Sequence, residues 1–125
     1  MTLALNISTI FQGDITVALT SPQGTTITVL GSVGAGDTFF GCGQDDFDIV
    51  LADGGATLPV NIADCWPSPL VGTFAPGGGS PTQPLSTFNG EDPNGTWIIE
   101  FTDEDVGAFD PTQGLNSGSL TVVCA

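Results

Sequence analysis

Gly13-Asp14-Ile15-Thr16-Val17-Ala18-Leu19-Thr20-Ser21-Pro22-Gln23-Gly24-Thr25-Thr26-Ile27-Thr28-Val29-Leu30 is the stretch that decides the fold class. Ile15, Val17 and Leu19 alternate with Thr16, Ala18 and Thr20, the period of two that puts one face of a strand against a core and the other toward water. Ser21-Pro22-Gln23-Gly24 then carries Pro and Gly where a β-turn wants them. Thr25 to Leu30 resumes with β-branched residues, Ile27 and Val29 on one side. The stretch reads as two consecutive antiparallel strands.

The same alternation continues outward in both directions. Upstream, Leu3, Leu5 and Ile7 share a face, with Gln12-Gly13-Asp14 as the turn that follows. Downstream, Phe47, Ile49 and Leu51 form another face, and Leu58 to Ile62 is a further strand candidate. Trp97, Ile99 and Phe101 mark the clearest strand after the hairpin, and Ser119 to Val123 the last, with Leu120 and Val122 in phase. Gly77-Gly78-Gly79-Ser80 reads as a flexible loop inside the domain, and Asn89-Gly90 and Asn94-Gly95 as tight-turn candidates. With 18 Gly and 9 Pro, long helices are disfavoured. Seven or eight strands in 125 residues predict one all-β domain over 1–125, a jelly-roll-like antiparallel β-sandwich.

Composition narrows the chemistry. The chain has fourteen acidic residues and no Lys, Arg or His, for a formal charge of −14. Nucleic-acid binding needs cations to replace phosphate counterions, and none exist here. Without His there is no Ser-His-Asp or Cys-His pair, and Tyr is absent as well. High charge can favour disorder, but a mean hydropathy of +0.28, eight Phe and two Trp predict a packed core. No apolar run is long enough to imply membrane insertion, and no leader with a basic start precedes Leu3.

The groups left for chemistry are carboxylates, hydroxyls and thiols. Asp103, Asp105 and Asp110 lie in the densest acidic segment, Asp103-Glu104-Asp105-Val106-Gly107-Ala108-Phe109-Asp110. Ca²⁺ takes six to eight oxygens, which closely spaced loop carboxylates and carbonyls supply. Asp45, Asp46 and Asp48 form a second candidate set, with Asp46 and Asp48 expected on the strand face opposite Phe47 and Ile49. Either set reads equally as a solvated acidic loop, and two loops meeting at one ion stays open. Asp14 is read as a carboxylate capping turn amides. Paired carboxylates also raise glycoside hydrolysis, but that chemistry needs a sugar cleft, and Trp97 is in phase with the core instead. Asn6-Ile7-Ser8 and Asn94-Gly95-Thr96 match the short glycosylation pattern.

Three landmarks, in order, resemble the P domain (Homo B domain) of kexin- and furin-like proprotein convertases, in its bacterial secreted form. They are Gly13 to Thr25 with its Ser-Pro-x-Gly-Thr, Phe88-Asn89-Gly90 followed by Gly95-Thr96-Trp97, and Asp103 followed by Gly118-Ser119-Leu120. The resemblance runs from residue 3 to residue 124. Two departures stand out: the chain reads Leu120-Thr121-Val122-Val123 where the family usually places a Trp, and it starts at the family's second strand.

The resemblance implies an eight-stranded sandwich, here without its first strand, and a non-catalytic secreted module. Such a module stabilises or completes a neighbouring subtilisin-like protease domain, and bacterial members often bind calcium. The rival readings are a structural or assembly module of an extracellular surface protein or fibre, and a carbohydrate- or protein-binding module. For the last, Trp66, Phe39, Phe40 and Phe109 are the aromatics outside confident strands. A missing strand would leave a sheet edge open to a donor strand from another segment or subunit, the alternative being a fold that closes without it. Secreted relatives often carry cysteines near Cys42 and Cys65, which implies a disulfide between them, against the alternative of buried free thiols. Cys124 is then left over, for a Cys elsewhere in the parent protein or on another chain.

Overall fold

A computed structural model describes residues 1–104 and 113–123. Eight strands form two four-stranded sheets: β1 (Thr2–Ser8), β2 (Ile15–Thr20), β3 (Thr26–Gly31), β4 (Phe47–Ala56), β5 (Leu70–Phe74), β6 (Gly77–Gly78), β7 (Ile98–Asp103) and β8 (Gly114–Thr121). One sheet runs β5-β4-β1-β8, the other β6-β3-β2-β7. The inward rows of β1 (Leu3, Leu5, Ile7) and β2 (Ile15, Val17, Leu19) are buried, and with Phe47, Ile49, Leu51 and Phe74 they make one core between the sheets. Burying each such side chain contributes about 1.5–3 kcal/mol, which is why the period of two wins over the chain's charge.

The decisive hairpin is present as expected. The Gly24 N–H donates to the Ser21 carbonyl at 2.9 Å, the Ser21 N–H donates to the Thr25 carbonyl at 2.9 Å, and β2 pairs antiparallel with β3.

Two strand pairs correct the all-antiparallel expectation. β4 pairs parallel with β5, and β3 parallel with β6. Parallel neighbours need a long crossover rather than a tight turn. Residues 57–69 supply it between β4 and β5, with a one-turn 3-10 helix at Ile62–Asp64. That crossover replaces the expected strand over Leu58 to Ile62. Pro59 has no N–H to give a ladder, and Leu58 and Pro59 are buried while Val60 and Ile62 are exposed. Asn61 keeps a single bridge to Ala35. Gly77–Gly78, expected as loop, pairs briefly with Leu30 and Gly31 as β6.

Cys42 and Cys65 are joined by a disulfide, Cα to Cα 5.7 Å, that ties the segment after β3 to the crossover. Gly34 lies under it at φ +77°, where a Cβ would come within 2.5 Å of the Cys42 Sγ. No side chain fits there, so the bridge is built against bare backbone.

The sandwich is not equally covered on its two sides. β5 and β6 edge one side, joined through residues 75–76. On the other, β7 and β8 are the edges, and as with β5 and β6 no outer strand pairs with them among the described residues. There the inward residues Ile99, Phe101, Leu115 and Leu120 are only half-buried.

Candidate functional site

The chain's landmark residues meet in space. Gly13 follows Gln12 in a 3-10 turn (Gln12–Asp14), and its N–H donates to the Cys42 carbonyl at 2.8 Å. A Cβ on Gly13 would stand 2.3 Å from the Phe40 carbonyl oxygen, so only glycine lets the Phe40–Cys42 backbone approach. That contact places the Phe39–Phe40 segment over the outer face of the β2–β3 sheet.

A cleft of about 640 Å³ results. Thr16 and Thr28 on the outward face of β2 and β3 line it, with Asp14, Ser32, Thr38, Ser80 and Glu104 around them and the two phenylalanines at one wall. Asp14 is only 7% exposed, whereas Phe39 is 91% and Phe40 60% exposed. Their rings sit at right angles, centroids 5.3 Å apart. The Thr16 hydroxyl donates to Glu104 Oε1 at 2.9 Å, and the Glu104 N–H donates to the Asp14 carbonyl at 2.7 Å.

A second groove, about 430 Å³, lies at the end of the β7/β8 side. Met1, Phe88, Trp97, Val122 and Val123 give it an apolar lining. Trp97 packs edge-on against Phe88, centroids 5.0 Å apart, and its indole N–H donates to the Pro93 carbonyl at 2.9 Å. The Phe88 and Trp97 landmarks are thus one contact, and Trp97 is half-buried against the core as its phase predicts.

The two acidic sets approach each other through Thr9 and Gln113: the Thr9 N–H donates to Asp46, the Thr9 hydroxyl donates to the Gln113 amide oxygen at 2.9 Å, and the Gln113 side-chain amide donates to Asp103. Asp46 has φ +62°, which takes it out of the β4 alternation, and its carboxylate accepts the Thr9 N–H at 3.0 Å. Asp48 stands on the exposed face of β4 opposite Asn6, and the Asp45 N–H donates to the Ser68 hydroxyl at 2.7 Å. Asp103 ends β7, where its carboxylate accepts the Gln113 side-chain amide; Asp105 and Asp110 lie outside the described residues, as do Phe109 and Cys124. Gln12 and Gln44 each bury a side-chain oxygen without a hydrogen-bond partner beside the Asp45–Asp46 loop. Yet among the described residues no three acidic or thiol groups converge to hold a metal ion.

Two polar residues escaped the sequence reading. The buried Gln12 side chain donates to the Asp45 and Asp46 carbonyls at 2.9 and 2.8 Å, fixing the acidic loop. Asp53, on β4, accepts backbone N–H groups far away in sequence. Both make non-local contacts to backbone, which leave no pattern in the chain.

This architecture defines a β-sandwich module of two mixed four-stranded sheets. Residues 1–113 match the model of the proprotein convertase P-domain, and the chain belongs to that family, whose members are accessory, non-catalytic domains of convertases. No curated protein and no solved structure matches the chain. Among the described residues no helix is long and apolar enough to cross a membrane.

Proposed function

We propose that this chain is a secreted accessory module that packs against a neighbouring subtilisin-like protease domain and stabilises it. The family supports the coarse role, because P domains accompany convertase protease domains. The observation that carries the surface is the β7/β8 side, where two sheet edges with no outer strand among the described residues flank half-buried Ile99, Phe101, Leu115 and Leu120 and lead into the Trp97 groove. A strand from the neighbour's linker adds to such an edge, gaining backbone hydrogen bonds and burying alternate side chains. A second copy of this chain is a poor occupant, since each carries −14. The disulfide suits an oxidising compartment, which supports secretion or display at the cell surface.

Calcium belongs to this proposal through charge. A chain at −14 repels itself, and a bound divalent cation relieves part of that.

The test is made on the parent protein. Trp97→Asp and Val122→Asp place charge in the groove. Both are expected to shorten the half-life of the protease activity while a control change at the exposed Val71 does not. A parent lacking a protease domain, or groove variants with unchanged protease half-life, would refute the role.

A further inference from the structure

We propose that the cleft between the Phe39–Phe40 segment and the outer face of β2 and β3 binds an organic cation, such as a guanidinium or alkylammonium group. The inference is independent of the protease reading, since the cleft is lined by residues other than those of the β7/β8 groove. Its volume of about 640 Å³ falls in the range of small-ligand sites.

Three observations choose the ligand. Asp14 and Glu104 line the cleft, and the sequence contains no side-chain cation, so positive charge for an acidic cleft comes from outside. The same lining repels phosphates and carboxylates. The second observation is the aromatic corner. Phe39 and Phe40 expose perpendicular faces, and a cation against such faces is attracted by the ring quadrupoles. A sugar ring stacks on a flat shelf, which two rings at an interplanar angle of 89° do not make.

The third is rigidity. Exposed phenylalanines on a loose loop would mean little, but this segment is fastened on both flanks. Before it the Gly36 N–H donates to the Val60 carbonyl at 2.8 Å, after it the Cys42 N–H donates to the Val33 carbonyl at 2.9 Å with the disulfide at Cys42, and the Gly41 N–H donates to the Thr38 hydroxyl at 3.0 Å across it. The corner is therefore organised before a ligand arrives, which lowers the ordering cost of binding. A guanidinium matches the chemistry of the lining: a plane that stacks on an aromatic face, and N–H donors for the carboxylates and for the Thr16 and Ser32 hydroxyls of the same cleft.

The experiment titrates the ¹⁵N-labelled chain with four probes: acetyl-Gly-Arg-Gly-amide, the same peptide with Gln for Arg, tetramethylammonium chloride and maltotriose. Saturable shifts of the Gly13, Thr16, Ser32 and Phe40 amides are expected with the cations and not with the Gln peptide or the sugar. Binding by the Arg peptide alone assigns the cation to a partner protein's side chain. Binding by tetramethylammonium alone assigns it to a small quaternary amine. Phe39→Ala, at a fully accessible position where folding is not at stake, is expected to weaken binding about two- to fivefold. Glu104→Gln is expected to weaken it and to reduce its salt dependence. Equal shifts with the Gln peptide, preference for maltotriose, or no shift with either cation would overturn the proposal.

Discussion

The Asp53 carboxylate accepts the Leu85 backbone N–H at 2.7 Å, and its second oxygen accepts the neighbouring Ser86 N–H at 2.8 Å. Leu85 opens a short 3-10 helix, Leu85–Phe88, whose first N–H groups have no partner within the helix. Asp53 thus anchors to β4 the segment that carries Phe88 to Trp97. Asp53→Ala is expected to lower stability by about 2 kcal/mol, as loss of charge-assisted hydrogen bonds does. Asp53→Asn, which keeps one acceptor oxygen, is expected to lose less. Thermal melts measure both, and faster amide exchange confined to Leu85 and Ser86 would locate the effect.

Removing the disulfide with Cys42→Ser and Cys65→Ser frees a loop of 23 residues' separation. The chain-entropy relation gives a loss of roughly 3 kcal/mol. Urea unfolding with and without reductant measures it, and non-reducing peptide mapping of protein from an oxidising compartment is expected to recover Cys42 joined to Cys65.

Gly34→Ala is expected to destabilise the oxidised protein by more than about 1 kcal/mol, because φ +77° strains an L-residue and its Cβ meets the Cys42 and Cys65 sulfurs. The sulfur contacts separate from the rest in a double-mutant cycle with the serine pair: they are relieved there, while the strain and the 2.8 Å approach to the Cys42 backbone N remain. A cost unchanged between the two backgrounds would show that the sulfur contacts contribute nothing and that the backbone sets the cost.

Millimolar Ca²⁺ is expected to raise the melting temperature relative to EDTA. At about 100 times its dissociation constant, a ligand specific for the folded state adds roughly 2.7 kcal/mol. Identical melts in the two conditions would remove calcium from the proposal, and a shift abolished by Asp103→Asn would place the ion at the end of β7.

Asp92 titrates below the ordinary aspartate range, first because the Asn94 backbone N–H donates to it and second because the Asn94 side-chain amide does. A depressed folded pKa stabilises the turn above the unfolded pKa, and that contribution disappears as pH falls through the folded value. Asn94→Ala is expected to move the Asp92 titration part of the way back toward the ordinary value, as followed by carboxylate carbon NMR.

Much of the sandwich is legible in the chain because its strands repeat every second residue. The row Ile15, Val17, Leu19 and the Pro22–Gly24 turn state their structure locally. β5 escaped because Gly72 interrupts the apolar pattern of Leu70 and Phe74, and β6 because two glycines carry no pattern at all. The parallel pairings are decided by where a crossover lands, which no window of sequence contains. The cleft was half visible. Phe39 and Phe40 stood out as aromatics outside strands, but Thr16, Thr28, Ser32 and Ser80 join them only once β2, β3 and two loops are folded together.

The position of β1 has a kinetic consequence. Although it begins at Thr2, it lies inside its sheet, and its last neighbour to be synthesised, β8, pairs Thr121 with Thr2. Synthesis delivers these two strands at opposite ends of the domain. Until β8 arrives, β1 presents an unpaired edge backed by Leu3, Leu5 and Ile7, a template for pairing with the wrong chain. Sheet closure therefore waits on the last strand, and such distant pairing folds slowly. Uniform negative charge keeps waiting chains apart, so the acidity that leaves this protein without a cation of its own also guards it while it is incomplete.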